Sequence, residues 1–109
     1  MAPTTLADRK KRLTLKLPVE VRADDALGRS FVEITHCLNV SGGGLLFESQ
    51  EKLLVGTRLH LRIEIPEPLR KHFGNRAVWE TSAVIMRLEG MEGQSTIRVG
   101  ARFIEDARS

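Results

Sequence analysis

A polar, glycine-rich segment stands out for the chemistry that its residues can do. Residues 39–44 read NVSGGG and separate a strand-like stretch from the short apolar run LLF at residues 45–47. The amide of Asn39 and the hydroxyl of Ser41 both donate and accept hydrogen bonds, and glycines let a ligand approach the backbone closely. Successive glycines also expose backbone N–H groups, which suggests an anion-binding nest. This segment, called the corner below, therefore favours binding of a polar or anionic ligand.

A cationic stretch near the N-terminus supplies charge of the opposite sign. Before Glu20 the chain carries five Lys or Arg residues, Arg9 and Arg12 among them, and a single acid, Asp8. The formal net charge of the whole chain is only +3, so this stretch is locally basic. The planar fork of arginine binds phosphate in a bidentate manner, pairs with the O6/N7 edge of guanine and stacks on purines. Together the two segments predict an anionic, purine-bearing ligand.

The residues do not match the patterns of enzymes or metal sites, and we expect no catalytic activity, metal or cofactor. The three histidines are scattered, and the single Cys37 leaves no ligand set with metal spacing. Ser41 is not preceded by the glycine of a nucleophile elbow, and no helix is predicted after the glycines as in a phosphate-binding loop. One cysteine cannot form an internal disulfide, so Cys37 is expected to be a buried or half-buried strand residue in a reducing cytoplasm.

The elements that must position these residues follow from a period-two alternation of apolar and polar side chains. The alternation predicts half-buried antiparallel strands. It runs through residues 13–21, 32–40, 59–65, 77–88 and 97–103. In the second stretch the apolar face includes Val32, Ile34 and His36, so His36 is expected to be a core histidine and not a ligand.

The interruptions between the strands carry turn residues. Residues 24–28 and 89–94 predict hairpin loops, and residues 66–76 predict a short helix that has Pro68 in its first turn and ends at Gly74. A chain of 109 residues is long enough for one domain. Five or six short strands predict a sandwich or a small closed barrel, and a barrel is favoured because closure removes exposed strand edges.

These features together resemble the PilZ domain, a bacterial receptor module for cyclic di-GMP. The family motif Asp/Asn-x-Ser-x-x-Gly is matched by Asn39, Ser41 and Gly44, and residues 99–105 are similar to the closing strand of the family. A second motif, Arg-x-x-x-Arg, is matched in part, with Arg12 at its second arginine. The resemblance extends over residues 8–105. It implies an all-β fold, a six-stranded antiparallel barrel at 13–105 with at most a short helix, a flexible basic arm at 1–12 and a tail at 106–109.

The resemblance also implies a function, that of a cytoplasmic cyclic di-GMP receptor or adaptor without enzymatic activity. Arg12 would contact guanine and phosphate with help from Arg9. Asn39 and Ser41 would hydrogen-bond the nucleotide, and Gly44 would permit the corner. The arm would fold over the ligand and pass the signal to a protein partner of unknown identity. No apolar run approaches about 18 residues, so no membrane span is expected.

Two alternatives stay open. Asp8 stands where the family has its first arginine, and Arg9 is one residue short of the family spacing. Nucleotide binding would then be weakened or lost, and the domain would be a protein-interaction module with the basic residues of 66–76 as its candidate surface.

For Asn39 and Ser41 the alternative role is an ordinary turn bonded to local backbone. A nucleic-acid-binding barrel is disfavoured despite the pI near 9.5, since the chain has no Tyr and few aromatics to stack bases.

Overall fold

The computed structural model describes residues 16–90 and 93–104. Within these ranges the chain forms six strands and one short 3₁₀ helix at Glu67–Phe73. The strands are β1 (Pro18–Asp24), β2 (Ser30–Val40), β3 (Gly44–Ser49), β4 (Arg58–Glu64), β5 (Val78–Gly90) and β6 (Ile97–Ile104). The predicted basic arm, which includes Arg9 and Arg12, and the predicted tail lie outside the described residues.

The six strands close into an antiparallel barrel. Their order around the barrel is β1-β2-β3-β6-β5-β4, and β4 returns to pair with β1. The predicted six-stranded barrel is therefore confirmed. The order is not that of the chain, because β6 inserts between β3 and β5. The corner that follows β2 consequently lies beside the last strand of the domain.

The barrel interior is filled by the predicted apolar face of most strands. On β4, Leu59, Leu61 and Ile63 are at most 1% exposed, as their alternation with polar residues predicts. Burying one such side chain completely stabilises the fold by about 1.5–3 kcal/mol. Further members of this core include Leu17, Val19, Val21, Leu45, Phe47, Ile65, Ala83, Ile85, Val99 and Ala101.

The first half of β2 reverses the predicted faces. Val32 is 56% exposed and Ile34 is 71% exposed. His36, on the same face, is exposed as well. The prediction of a core histidine is therefore wrong, because this apolar face of the strand points away from the barrel. Alternation defines two faces of a strand but does not say which of them is covered.

A β-bulge changes the phase of β2 before the strand ends. The register between β2 and β3 shifts between Cys37 and Asn39, which leaves Leu38 as an extra residue. Cys37 and Val40 are both fully buried, although an unbroken strand would place them on opposite faces. As a result Asn39, which regular alternation would place on the same face as Cys37, turns towards the outside.

The helix packs against the barrel through aromatic side chains. Gly74 ends the helix in the left-handed conformation with φ 68°, and a proline lies in the first turn, as predicted. Phe73 is 8% exposed. Its ring centroid lies 5.7 Å from that of Trp79, which in turn lies 4.9 Å from Phe103. The helix is thus held by aromatic packing. In the described part of the chain no helix is long and apolar enough to cross a membrane.

The hairpin between β1 and β2 is ordered by Asp25. Its carboxylate accepts hydrogen bonds from the backbone N–H groups of Leu27 and Arg29, each at 2.9 Å. The bond from the Arg29 backbone is the main reason that the pKa of Asp25 lies below its usual value. The ionised side chain therefore stabilises the predicted hairpin turn.

Candidate functional site

An open surface pocket of about 500 Å³ lies where the corner meets the adjacent strands β5 and β6. Ligand pockets in proteins span roughly 300–1,000 Å³. The residues that line it come from four strands and the corner: Asn39, Ser41, Gly43, Gly44, Leu45, Leu46, Met86, Arg87, Gly100, Ala101 and Arg102. The structure thus brings together the predicted site residues Asn39, Ser41 and Gly44.

Asn39 owes its place in the pocket to the bulge in β2. It pairs with Leu46 of β3 immediately after the register shift, and its side chain is half-buried. Within the described residues its amide forms no side-chain hydrogen bond. The amide is therefore available as both donor and acceptor for a ligand.

Ser41 has a structural role in the corner. Its backbone N–H donates to the Gly44 carbonyl at 2.9 Å. Its hydroxyl accepts the N–H of Gly43 at 3.2 Å and donates to the Gly44 carbonyl at 3.5 Å. This is the local turn bonding that the sequence left as an alternative. The hydroxyl oxygen keeps a second lone pair that can face the pocket.

Gly44 is required by the close approach of β3 and β6. It pairs with Arg102, and a Cβ at position 44 would overlap the carbonyl oxygen of Ala101 and lie 3.1 Å from Arg102 Cα. Gly44 is not in the left-handed region, and neither are Gly42 and Gly43. The anion-binding nest suggested by the three glycines is thus not formed, since a nest alternates right- and left-handed residues. Gly44 matters here for its missing side chain.

Two arginines that the sequence analysis did not single out also line the pocket. Arg102 lies on the outer face of β6, between Gly44 and Val84 on the neighbouring strands. Arg87 pairs with Gly100, and a Cβ at position 100 would lie 3.6–3.8 Å from atoms of the Arg87 side chain. Glycines on the adjacent strands therefore leave room for both side chains to lie across the barrel surface.

Among the described residues, only one of the two guanidinium groups forms an ion pair, and that pair is a weak one. Arg87 Nε lies 3.4 Å from a Glu89 carboxylate oxygen, and both side chains are about half exposed. An exposed pair of this kind is worth little and can exchange for a ligand anion. Arg102 takes part in none of the ion pairs found among residues 16–90 and 93–104. Both charges are therefore available to a ligand.

An apolar side chain completes the wall of the pocket. Met86 lies where the register between β5 and β6 shifts, and it is 52% exposed. A flexible thioether exposed beside two guanidinium groups suits the face of a planar base. In the described ranges no cluster of His, Cys, Asp and Glu side chains could hold a metal ion. The chemistry available is recognition of an anion that carries a flat aromatic group.

Comparison with solved structures gives two similar folds. The Bacillus subtilis inhibitor of motility MotI/DgrA has a TM-score of 0.64 at 20% identity, over 88% of this chain and 42% of that chain. The PilZ domain of Escherichia coli YcgR, solved with c-di-GMP, has a TM-score of 0.58 at 16% identity, over 87% of this chain and 76% of that chain. The chain thus spans less than half the length of MotI. At these identities the likeness shows a shared fold.

Comparison of the sequence with protein families identifies the family of this chain. Comparison with curated proteins finds no match. The profile of the PilZ domain matches residues 8–109, nearly the whole chain. The PilZ family consists of regulatory binding domains. With the barrel, the corner motif and this match in agreement, the chain belongs to the PilZ domain family.

Proposed function

We propose that this domain binds cyclic di-GMP in the pocket between the corner and strands β5 and β6, and that it acts as a receptor or adaptor in the bacterial cytoplasm. The observation that carries the proposal is that Arg87 and Arg102 line the same pocket as Asn39 and Ser41. The ligand has two phosphodiester charges and two guanines. Guanidinium groups bind phosphate oxygens and the O6/N7 edge of guanine, and an amide offers both donor and acceptor.

The attachment of the N-terminal arm supports its part in the proposal. The Leu17 carbonyl accepts the Cys37 N–H at 2.9 Å, which fixes the start of β1 beside the end of β2. Arg12 lies five residues before Leu17, and five extended residues span at most about 17 Å. Asn39 lies two residues beyond Cys37, or about 7 Å along the strand. The chain between Arg12 and Leu17 is therefore long enough for Arg12 to reach the pocket. Its contact with bound ligand would order the arm and offer a changed surface to a partner.

Titration calorimetry with cyclic di-GMP tests the proposal. We expect wild-type binding, and we expect Arg102→Ala and Arg12→Ala each to raise the Kd about 10–100-fold, because a hydrogen bond to a charged group is worth about 1.5–3 kcal/mol. Arg98→Ala is the matched control, since Arg98 is exposed on the same strand but does not line the pocket. Its Kd should stay within about threefold of wild type.

The salt dependence gives an independent readout. Because the ligand charges meet exposed guanidinium groups, the affinity should fall as ionic strength rises from 0.05 to about 0.5 M. Absence of heat with wild-type protein at high micromolar ligand would refute the proposal. If Arg98→Ala and Arg102→Ala lost affinity for cyclic di-GMP equally, the ligand would bind outside this pocket.

A second function is supported by Asp8, which stands at the first arginine of the family motif. In that case the domain is a protein-interaction module with weak or lost nucleotide binding. The variant Asp8→Arg distinguishes the two functions in the same calorimeter. A wild type without heat that gains binding in Asp8→Arg favours the interaction module. Comparable binding by both proteins favours the receptor, with Arg9 and Arg12 sufficient in the arm.

A further inference from the structure

We propose that the outer face of the first half of β2 is a dimerisation face that takes a second copy of this chain. Its centre is formed by Val32 and Ile34, 56% and 71% exposed, which lie on the same face two residues apart. β-Branched side chains that are neighbours on one strand face suit a surface that is at least half-buried. Here they face outwards, so burying them requires a partner surface.

The charges beside this apolar centre point to a second copy as the partner. On β1, Arg22 is directly opposite Val32, and Glu20 is directly opposite Ile34. Cross-strand neighbours on one face lie about 4.5–5.5 Å apart between Cβ atoms. The face therefore carries two columns, one apolar and one with a positive and a negative charge at matching heights. Arg22 Nε and a Glu20 carboxylate oxygen lie 2.7 Å apart within the monomer.

This arrangement is self-complementary under a two-fold rotation. An axis that lies between two such faces and runs across the strands places the two β2 strands antiparallel, with Val32 of one copy over Ile34 of the other. The same rotation places Arg22 of each copy over Glu20 of its mate. Apolar side chains thus meet apolar ones and each charge meets its opposite, as an isologous contact requires. The pair within each monomer becomes a four-charge cluster across the interface.

The proposed face is separate from the candidate ligand pocket. The pocket is lined from Asn39 onwards, beyond the bulge, and from strands on the other side of β3. Val32, Ile34 and the two β1 charges do not line it. A dimer formed through this face therefore leaves both pockets open, and the inference does not depend on the identity of the ligand.

Sedimentation velocity of the full chain over about 10 µM to 1 mM tests the proposal, a range that suits a contact at the small end of the interface scale. The monomer mass is 12.2 kDa. We expect the weight-average mass of the wild type to rise with concentration towards twice that value. Ile34→Lys should raise the dimer Kd at least tenfold. Val55→Lys is the matched control, because Val55 is 61% exposed in the β3–β4 connection, and it should change the Kd less than twofold.

Charge reversal separates a specific dimer from general stickiness. Arg22→Glu alone places like charges over each other twice per dimer and should raise the Kd about tenfold. The double variant Glu20→Arg with Arg22→Glu restores opposite charges across the axis and should return the Kd to within about threefold of wild type. A wild type that stays at the monomer mass up to 1 mM overturns the proposal. The proposal is also overturned if the double variant dimerises no more tightly than Arg22→Glu. It is overturned as well if Val55→Lys raises the dimer Kd as much as Ile34→Lys does.

Discussion

Replacing Gly44 by alanine should destabilise the barrel itself as well as alter the candidate ligand pocket. In the native strand pair the Gly44 backbone lies directly against β6, and an added Cβ would overlap the Ala101 carbonyl oxygen. The same methyl would lie 3.1 Å from Arg102 Cα and 3.2 Å from the Ala101 carbonyl carbon. All three atoms belong to the backbone of a paired strand, so no side-chain rotation can relieve the contact.

The size of the effect follows from what must move. Separating β3 from β6 by close to 1 Å stretches ladder bonds beyond the roughly 3.2 Å at which N–H···O bonds weaken. Overpacking of well-packed sites costs about 1–3 kcal/mol, and we expect the upper part of this range. For a domain of this size each kcal/mol corresponds to about 4 °C or more in Tm. Gly44→Ala should therefore lower the Tm by roughly 10 °C.

Thermal and urea unfolding followed by circular dichroism measure this difference. Gly43→Ala is the matched control, because a Cβ there meets nothing within 4 Å and φ at Gly43 is not positive. The control should change the free energy of unfolding by less than about 1 kcal/mol in either direction. The reasoning fails if the two variants are equally stable, since both are glycine-to-alanine changes in one turn and differ in the contact with β6.

Three further predictions concern the scaffold. The wild type should melt at a higher Tm than Asp25→Ala at neutral pH, and this difference in Tm should narrow as pH falls below about 3.9. Asp25 has a lower pKa in the folded protein than in the unfolded chain, so its ionised form stabilises the fold, and this stabilisation is lost as both states take up the proton. A difference in Tm that stays constant between about pH 2 and 7 would contradict this prediction. Burial raises the pKa of the Cys37 thiol, so above about pH 8.5 the thiol ionises in the unfolded chain before it does so in the folded protein. The free energy of unfolding should therefore fall above this pH, and urea unfolding of Cys37→Ala should lack this fall. Trp79→Ala removes the contacts with Phe73 and Phe103 and should cost about 2–3 kcal/mol in urea unfolding, less than a fully buried Trp because Trp79 is only half-buried.

Regular strands were predictable because their side-chain period is the signal of the strand itself. The run through Leu59, Leu61 and Ile63 alternates without interruption, and the structure buries that face. The short helix was predictable from Pro68 and Gly74, whose backbone preferences mark its two ends. Barrel closure followed from the number of alternating strands and the cost of leaving their edges open.

The remaining features depend on information that alternation does not contain. The bulge at Leu38 changes the phase of a strand without changing its pattern of apolar residues, so the exposure of Val32, Ile34 and His36 was not visible from the sequence. Arg102 could be placed on an outer face by alternation, but its neighbours depend on the insertion of β6 between β3 and β5. Its contribution to the pocket therefore emerges only when the order of strands is known.

Structural and binding roles fall on different residues around the corner, and this affects how such a domain can change over generations. Gly44 is tied to the scaffold, whereas the Asn39 amide and the Arg102 guanidinium contribute little to holding the barrel together. Under the proposed function, single substitutions at Asn39 or Arg102 would therefore weaken ligand binding with little loss of stability, while substitution of Gly44 would destabilise the barrel itself. Under the proposed function, such a domain would be able to lose ligand binding while it keeps its barrel, whereas loss of Gly44 would reduce the stability of the barrel as well. The glycine of the corner therefore reports on the barrel, whereas the Asn39 amide and the two pocket arginines report on the proposed ligand binding.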